Sequence, residues 1–172
     1  IPAYVALLGD LAALSVSEVQ FHEPALVLDD AESLSGLYLS SYAALAKVGV
    51  PIHVVSYFDS LSEAVLPWVV KLPGLSALSL DFTRGNNLGT IRKCGFPSNI
   101  RLGAGVVDGR SVWADTNAAS VLEEVRSAVG PSVAVSVQPS CSLQYVPLDL
   151  AAESDLPVEL KTKLAFARQK LA

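Results

Sequence analysis

Two hydrophobic rhythms alternate along this chain. Residues 3–14, AYVALLGDLAAL, place Val5, Leu8 and Ala12 on one helical face, and the spacing predicts a helix. The stretch EVQF at 18–21 predicts a short strand, which breaks off at His22, Glu23 and Pro24. Residues 31–47 predict a helix with a broad stripe of Leu37, Leu39, Tyr42, Leu45 and Ala46. Gly49, Val50 and Pro51 close it and open the β-rich run IHVVSYF. Leu61, Ala64, Val65, Trp68 and Val69 then follow the spacing of an amphipathic helix. Pro73 and Gly74 turn the chain into LSALSLDF, and a further helix is expected over 87–94. IRLGAGVV reads as a fourth strand, residues 116–129 as a helix on Val121, Leu122, Val125 and Val129, and SVAVSVQ as a fifth strand. A last helix is expected from Asp155 as N-cap, with Pro157 in its first turn and Leu160, Leu164, Ala167 and Leu171 as its buried stripe.

The expected strands thus lie near 18–22, 52–58, 75–82, 100–107 and 132–138. The connections are long enough for right-handed crossovers between parallel strands, so the class is α/β. Strand 75–82 sets Ser76 and Ser79 among Leu75, Ala77 and Leu80, giving it two unlike faces. Barrel strands have such faces, one toward the helices and one toward a layered interior. The reading is therefore the C-terminal part, about five β/α units, of a (β/α)8 barrel of TIM type. Residues 1–172 form a single partial domain in this reading, the back half of a barrel. The chain opens on Ile1 and contains no Met, which reads as a segment of a longer protein or a processed subunit.

Composition narrows the function classes. Hydrophobic residues make up 51% and charged residues 17%, which excludes a disordered chain. The net charge of −5 argues against a nucleic-acid partner or an anionic membrane surface. No apolar run has the length of a membrane helix, so membrane insertion is not expected. Cys94 and Cys141 lie far apart and form no C-x-x-C pair, as in a reducing compartment.

In folds of this class the chemistry sits just beyond the C-terminal ends of the strands. Those positions hold His22 and Glu23, then Tyr57 and Asp59, then Asp81, Thr83 and Arg84, then Asp108 and Arg110, and finally Ser140 and Cys141. Each has a plain structural alternative. An Asp after a strand caps a helix or pairs in a loop, Glu23 before Pro24 can accept backbone N–H bonds at a corner, and Cys141 can be a small buried apolar residue. His53 falls inside a strand and reads as a packed core residue. There is no G-x-G-x-x-G, P-loop or H-E-x-x-H, and two histidines exclude a three-histidine zinc site. Gly103, Gly105 and Gly109 in GAGVVDGR are spaced for a tight turn.

Six blocks occur in order: VQFHEPALVL, SYF, LDFTRG, GAGVVDGRSVW, PSCSLQYVPLDL and LKTKLAFARQKL. Together they resemble the N-terminal barrel of cobalamin-independent methionine synthase, over nearly the whole chain. The resemblance implies a parent methyltransferase that moves a methyl group from methyltetrahydrofolate polyglutamate to homocysteine, making methionine. It implies two related barrels in one chain, with zinc in the C-terminal one activating the homocysteine thiol, and a cytoplasmic or plastid location. The partners it implies are the remainder of this barrel and that catalytic barrel. The N-terminal barrel is expected to be structural and to help hold the polyglutamate tail, with the basic residues for that contact upstream of this stretch.

The family's block usually reads IDEPAL, so His22 stands where Asp is common. Laid on the zinc barrel, Val55 and Tyr57 fall at the His and Cys ligands, Asp81 at the Glu and Cys141 at the second Cys. Val has no donor atom, so the resemblance implies no zinc or other cofactor and no catalytic residue in this segment, with Asp81 and Cys141 as remnants. The strand-tip candidates are then His22, Glu23, Asp81, Arg84, Asp108 and Cys141. The alternative reading is a degenerate barrel fragment reused as a structural or binding subunit of a larger assembly.

Overall fold

The structure, a computed structural model, describes residues 1–172. Its centre is one parallel sheet of five strands in the order β1 to β5: Val19–His22, Ile52–Val55, Leu75–Asp81, Arg101–Val107 and Val135–Pro139. Helices α1 (Pro2–Ala13), α2 (Ser35–Ala46), α3 (Leu66–Val69), α4 (Asn87–Cys94) and α5 (Ala118–Val129) alternate with these strands. A strictly sequential order, with right-handed crossovers, places the connecting helices on a single face of the sheet.

The pleat divides the residues accordingly. Ile52, Val54, Leu78, Leu80, Leu102 and Ala104 point one way, into the main core with Leu8, Leu45, Val69, Ile91 and Val125 of the helices. The opposite face carries Gln20, His53, Ser79, Arg101 and Gln138, brought side by side by the register. The two unlike faces expected of strand 75–82 are present. Leu78 and Leu80 join the core, while Ser79 and Asp81 face the other side, both buried.

Gly103 and Gly105 lie within β4 and make no turn, contrary to their spacing. A Cβ on Gly103 would strike Ser79 Oγ and the Gln138 side chain, and one on Gly105 would come within 2.7 Å of the Leu80 carbonyl and 2.8 Å of Ser140 Cα. They let neighbouring groups cross closely over the strand.

Helix boundaries depart more from the sequence pattern than strands do. Of the helix expected from Leu61 to Val69, only Leu66–Val69 is helical. Pro67 has no N–H and is tolerated only in a first turn, so the helix starts there. Leu61, Val65 and Val69 of the apolar stripe are buried regardless, while Trp68 is half-buried and Ala64 exposed. The helix expected over 31–47 begins as a separate 3-10 turn at Ala31–Leu34, and Leu37 and Leu39 of its stripe are exposed while Tyr42 and Leu45 are buried.

The long C-terminal helix is replaced by two single turns, α6 (Val158–Lys161) and α7 (Ala167–Lys170), with Pro157 and not Asp155 at the N-cap of α6. Between them the backbone bonds to another segment. Ala165 N–H donates to Val112 and Ala114 N–H to the Lys163 carbonyl, each at 2.9 Å. Ala165 and Phe166 are buried in place of Leu171, which is exposed. Strand β2 also ends early, at Val55, and Phe58, within the expected 52–58, takes a left-handed backbone conformation with φ of 82°.

Candidate functional site at the strand tips

The pleat sends His22 and Glu23 to opposite sides. His22 faces the open side of the sheet and meets Tyr57 edge-on, with ring centroids 5.6 Å apart. Glu23 turns toward the helices, where Tyr38 Oη and Tyr42 Oη of α2 each donate to its carboxylate at 2.9 Å. Burial, together with this carboxylate, pushes both phenols far above the usual tyrosine range. Glu23 therefore closes the corner between β1 and α2, through tyrosine hydroxyls instead of backbone amides.

Asp81 is 1% exposed, and its carboxylate is fully engaged. Oδ1 accepts from Thr83 N–H at 2.8 Å, Thr83 Oγ1 at 2.7 Å and Arg84 N–H at 3.1 Å, and Oδ2 accepts from Phe58 N–H at 3.1 Å. It thereby holds its own loop and the strained Phe58 next door. Asp108 does the same for the following loop, accepting from Arg110 and Ser111 N–H at 2.9 and 3.2 Å, with Arg84 3.5 Å away. Asp59 is exposed and caps Ser60 N–H at 2.7 Å.

The tips converge on an aromatic group of which the strand-tip positions marked Tyr57 but neither Phe58 nor Tyr145. Tyr57 and Phe58 meet at 4.6 Å, Phe58 and Tyr145 at 5.7 Å, and the Arg110 guanidinium lies 4.7 Å from the Phe58 ring centre. Cys141 packs beneath with Val55 and Tyr57, and burial, reinforced by the charges of Asp81 and Asp108, pushes its thiol up. Ser140 Oγ accepts from Gly109 N–H at 3.1 Å. The sequence candidates thus form two groups, His22 with Tyr57 and Cys141, and Asp81 with Arg84 and Asp108, while Glu23 stands apart.

The donor set does not fit a zinc ion. Val55 carries no donor, both Asp81 oxygens are committed to the loop, and no three His, Cys, Asp or Glu side chains converge anywhere in the chain.

A second polar cluster lies at the opposite end of the same face. Arg101 donates to both oxygens of Glu18 at 2.7 and 2.9 Å, and Ser76 Oγ donates to Glu18 at 3.0 Å. His53 Nδ1 lies 3.2 Å from Glu18 Oε1 and Nε2 lies 2.5 Å from Ser79 Oγ. Nδ1 also lies 3.2 Å from Gln20 Nε2, so Glu18 and Gln20 converge on the same ring nitrogen. Burial, aided by Arg101 and His22, lowers the His53 pKa against the pull of Glu18. Burial also works to raise Glu18, but the bonds from Arg101 and Ser76 and the neighbouring charges outweigh it, and its pKa falls below the usual value. His53 is buried as its strand position predicts, within a network that the one-dimensional pattern does not reveal.

Residues 1–130 match the family model of the cobalamin-independent synthase N-terminal domain. The chain is 49% identical to a 5-methyltetrahydropteroyltriglutamate–homocysteine methyltransferase of Trichodesmium erythraeum (strain IMS101), over 99% of this chain and 23% of that protein. It is 47% identical to the protein of that name in Synechococcus sp. (strain JA-2-3B'a(2-13)), over 100% of this chain and 22% of the relative. A counterpart in Oryza sativa subsp. japonica is 38% identical over 99% of this chain and 23% of its own length. The solved structure of a B12-independent methionine synthase from Shewanella sp. W3-18-1, in complex with selenomethionine, superposes with a TM-score of 0.60. It covers 84% of this chain and 48% of that one at 15% identity, a likeness of fold. The chain spans less than a quarter of the length of these curated relatives. It belongs to the cobalamin-independent methionine synthase family and matches that family's N-terminal domain over residues 1–130.

Proposed function

We propose that this chain is the back half of the N-terminal barrel of a methyltransferase that moves a methyl group from methyltetrahydrofolate polyglutamate to homocysteine. In this reading the segment is structural. The observation that carries it is the commitment of its candidate acids: Asp81 holds two loops, Asp108 holds a third, and Glu23 ties a strand to a helix. Each of the three carboxylates is thus tied into the fold by at least two hydrogen bonds. Zinc chemistry belongs to a C-terminal barrel, and the partners of this segment are that barrel and the front half of its own. The enzyme works in the cytoplasm or a plastid.

The barrel arc is supported by the sequential strand order, since open doubly wound sheets reverse direction at a switch point. It is supported further by Glu18 and Arg101. Glu18 lies just before β1 and Arg101 opens β4, and they meet across the two intervening strands, although neighbouring strands lie about 4.8 Å apart. A sheet curved toward that face brings them together.

The test uses the full-length polypeptide. Cys141→Ser is expected to leave bound zinc unchanged and kcat within about twofold of the parent. Loss of zinc on that substitution would overturn the reading.

A further inference from the structure

The side chain of Lys170 is 0% exposed, although its backbone near the chain end still meets solvent. Lysine is among the residues least often buried, and an ammonium withdrawn from water needs partners. Lys170 Nζ donates to Asp115 Oδ2 at 2.7 Å and to the Trp113 carbonyl at 3.1 Å. Both partners lie in the loop between β4 and α5. The other oxygen of Asp115 accepts from Asp108 N–H at 2.9 Å, and Asp108 in turn holds the amides of Arg110 and Ser111. Arg110 stacks on Phe58. An unbroken series of contacts therefore runs from the C-terminal segment to the aromatic group at the strand tips.

Backbone bonds stitch that segment to two separate loops. On the β4 side are the paired bonds between Val112–Ala114 and Lys163–Ala165. On the β5 side Ala167 N–H donates to Pro147 at 2.9 Å and Arg168 N–H to Leu148 at 3.0 Å. Buried Ala165 and Phe166 anchor the middle.

We propose that residues 163–170 act as a strap that clips the β4 and β5 tip loops together, keyed by the Lys170–Asp115 pair, with Lys170 a positioning residue for Arg110 and Phe58. Release of the strap leaves Asp115 without its cation and removes the brace from the turn that Asp108 holds. Strap docking and loop order form one two-state element, so what stabilises either stabilises the other. The inference rests on loop geometry and stands or falls apart from the proposed activity.

Native-state hydrogen exchange on the full-length polypeptide tests it. In the unsubstituted chain the amides of Ala165, Ala167 and Arg168 are expected to open together with those of Asp108, Arg110 and Ser111, as one unit below global unfolding. Separate opening of the two sets would overturn the proposal. Lys170→Met keeps the methylene stem and removes the charge. It is expected to speed exchange of both sets about tenfold or more while β2 to β4 keep theirs. Asp115→Asn is expected to do the same, and the double variant to match the larger single effect, because the two groups act as one unit. Unchanged exchange at Arg110 and Ser111 in Lys170→Met, or an equal rise throughout the sheet, counts against the strap.

Discussion

At the scale of single residues, Glu23 shows how much depends on which side of a strand a group lands. Its sequence neighbours His22 and Pro24 left two readings open, a site or a corner. The pleat decides, because consecutive side chains leave a strand on opposite faces. His22 faces the open side, and Glu23 meets Tyr38 and Tyr42. Those tyrosines sit at i and i+4 of α2, so their common face was readable in the sequence; their partner fifteen or more residues away was not. The arrangement carries a pH signature. Both phenols have folded-state pKa values above the unfolded value near 10, so the native state holds their protons more tightly. Their contribution is complete below pH ~10 and is lost as pH rises beyond it. Urea unfolding should show Tyr42→Phe costing about 1–3 kcal/mol at pH 8 through the lost bond to Glu23. Between pH 8 and 11 the variant should lose less stability than the parent. Parallel pH curves for the two proteins would remove Tyr42 from the account.

Among elements, strands were legible and helices less so, for a physical reason. Apolar β-rich runs flanked by Gly and Pro locate all five strands to within a few residues. The helices failed where tertiary bonds competed with the i to i−4 ladder: residues 163–166 joined the 112–114 segment, and Pro67 shortened α3. The glycines of β4 were misread because their task lies across the sheet. Spacing along the chain cannot reveal that Ser79 and Gln138 lean over Gly103. The same reasoning separates two kinds of glycine by experiment. Gly105→Ala drives a methyl into backbone on both sides and should cost about 1–3 kcal/mol, as overpacking does. Gly9→Ala, in an exposed turn of α1 with nothing within reach of its Cβ, should stabilise by about 0.5–1 kcal/mol. Thermal unfolding reads both, and a neutral Gly105→Ala would mean that β4 has room that the close crossing denies.

For the whole molecule, the question is what covers its open sides. β1 and β5 each present an unpaired edge, and the β1 edge opens into a groove of about 570 Å³ between α1 and α2. Tyr4, Leu7 and Leu37 line it and are exposed. At the other edge Val137 is 53% exposed on the helix-facing side of β5. Free strand edges template association, and contiguous apolar surface of this kind marks an interface. A composition of 51% hydrophobic residues cannot say where apolar surface lies open; the strand order and pleat place it at the two ends of the sheet. Residues 1–172 produced alone are therefore expected to self-associate, and to dissociate only as they unfold in denaturant. Light scattering coupled to size-exclusion chromatography, followed by urea unfolding across a range of protein concentrations, checks this. The midpoint should rise with concentration, because association stabilises the folded form by mass action. A monodisperse monomer with one concentration-independent transition would mean that the edges and the α1–α2 groove are tolerated in water as they stand.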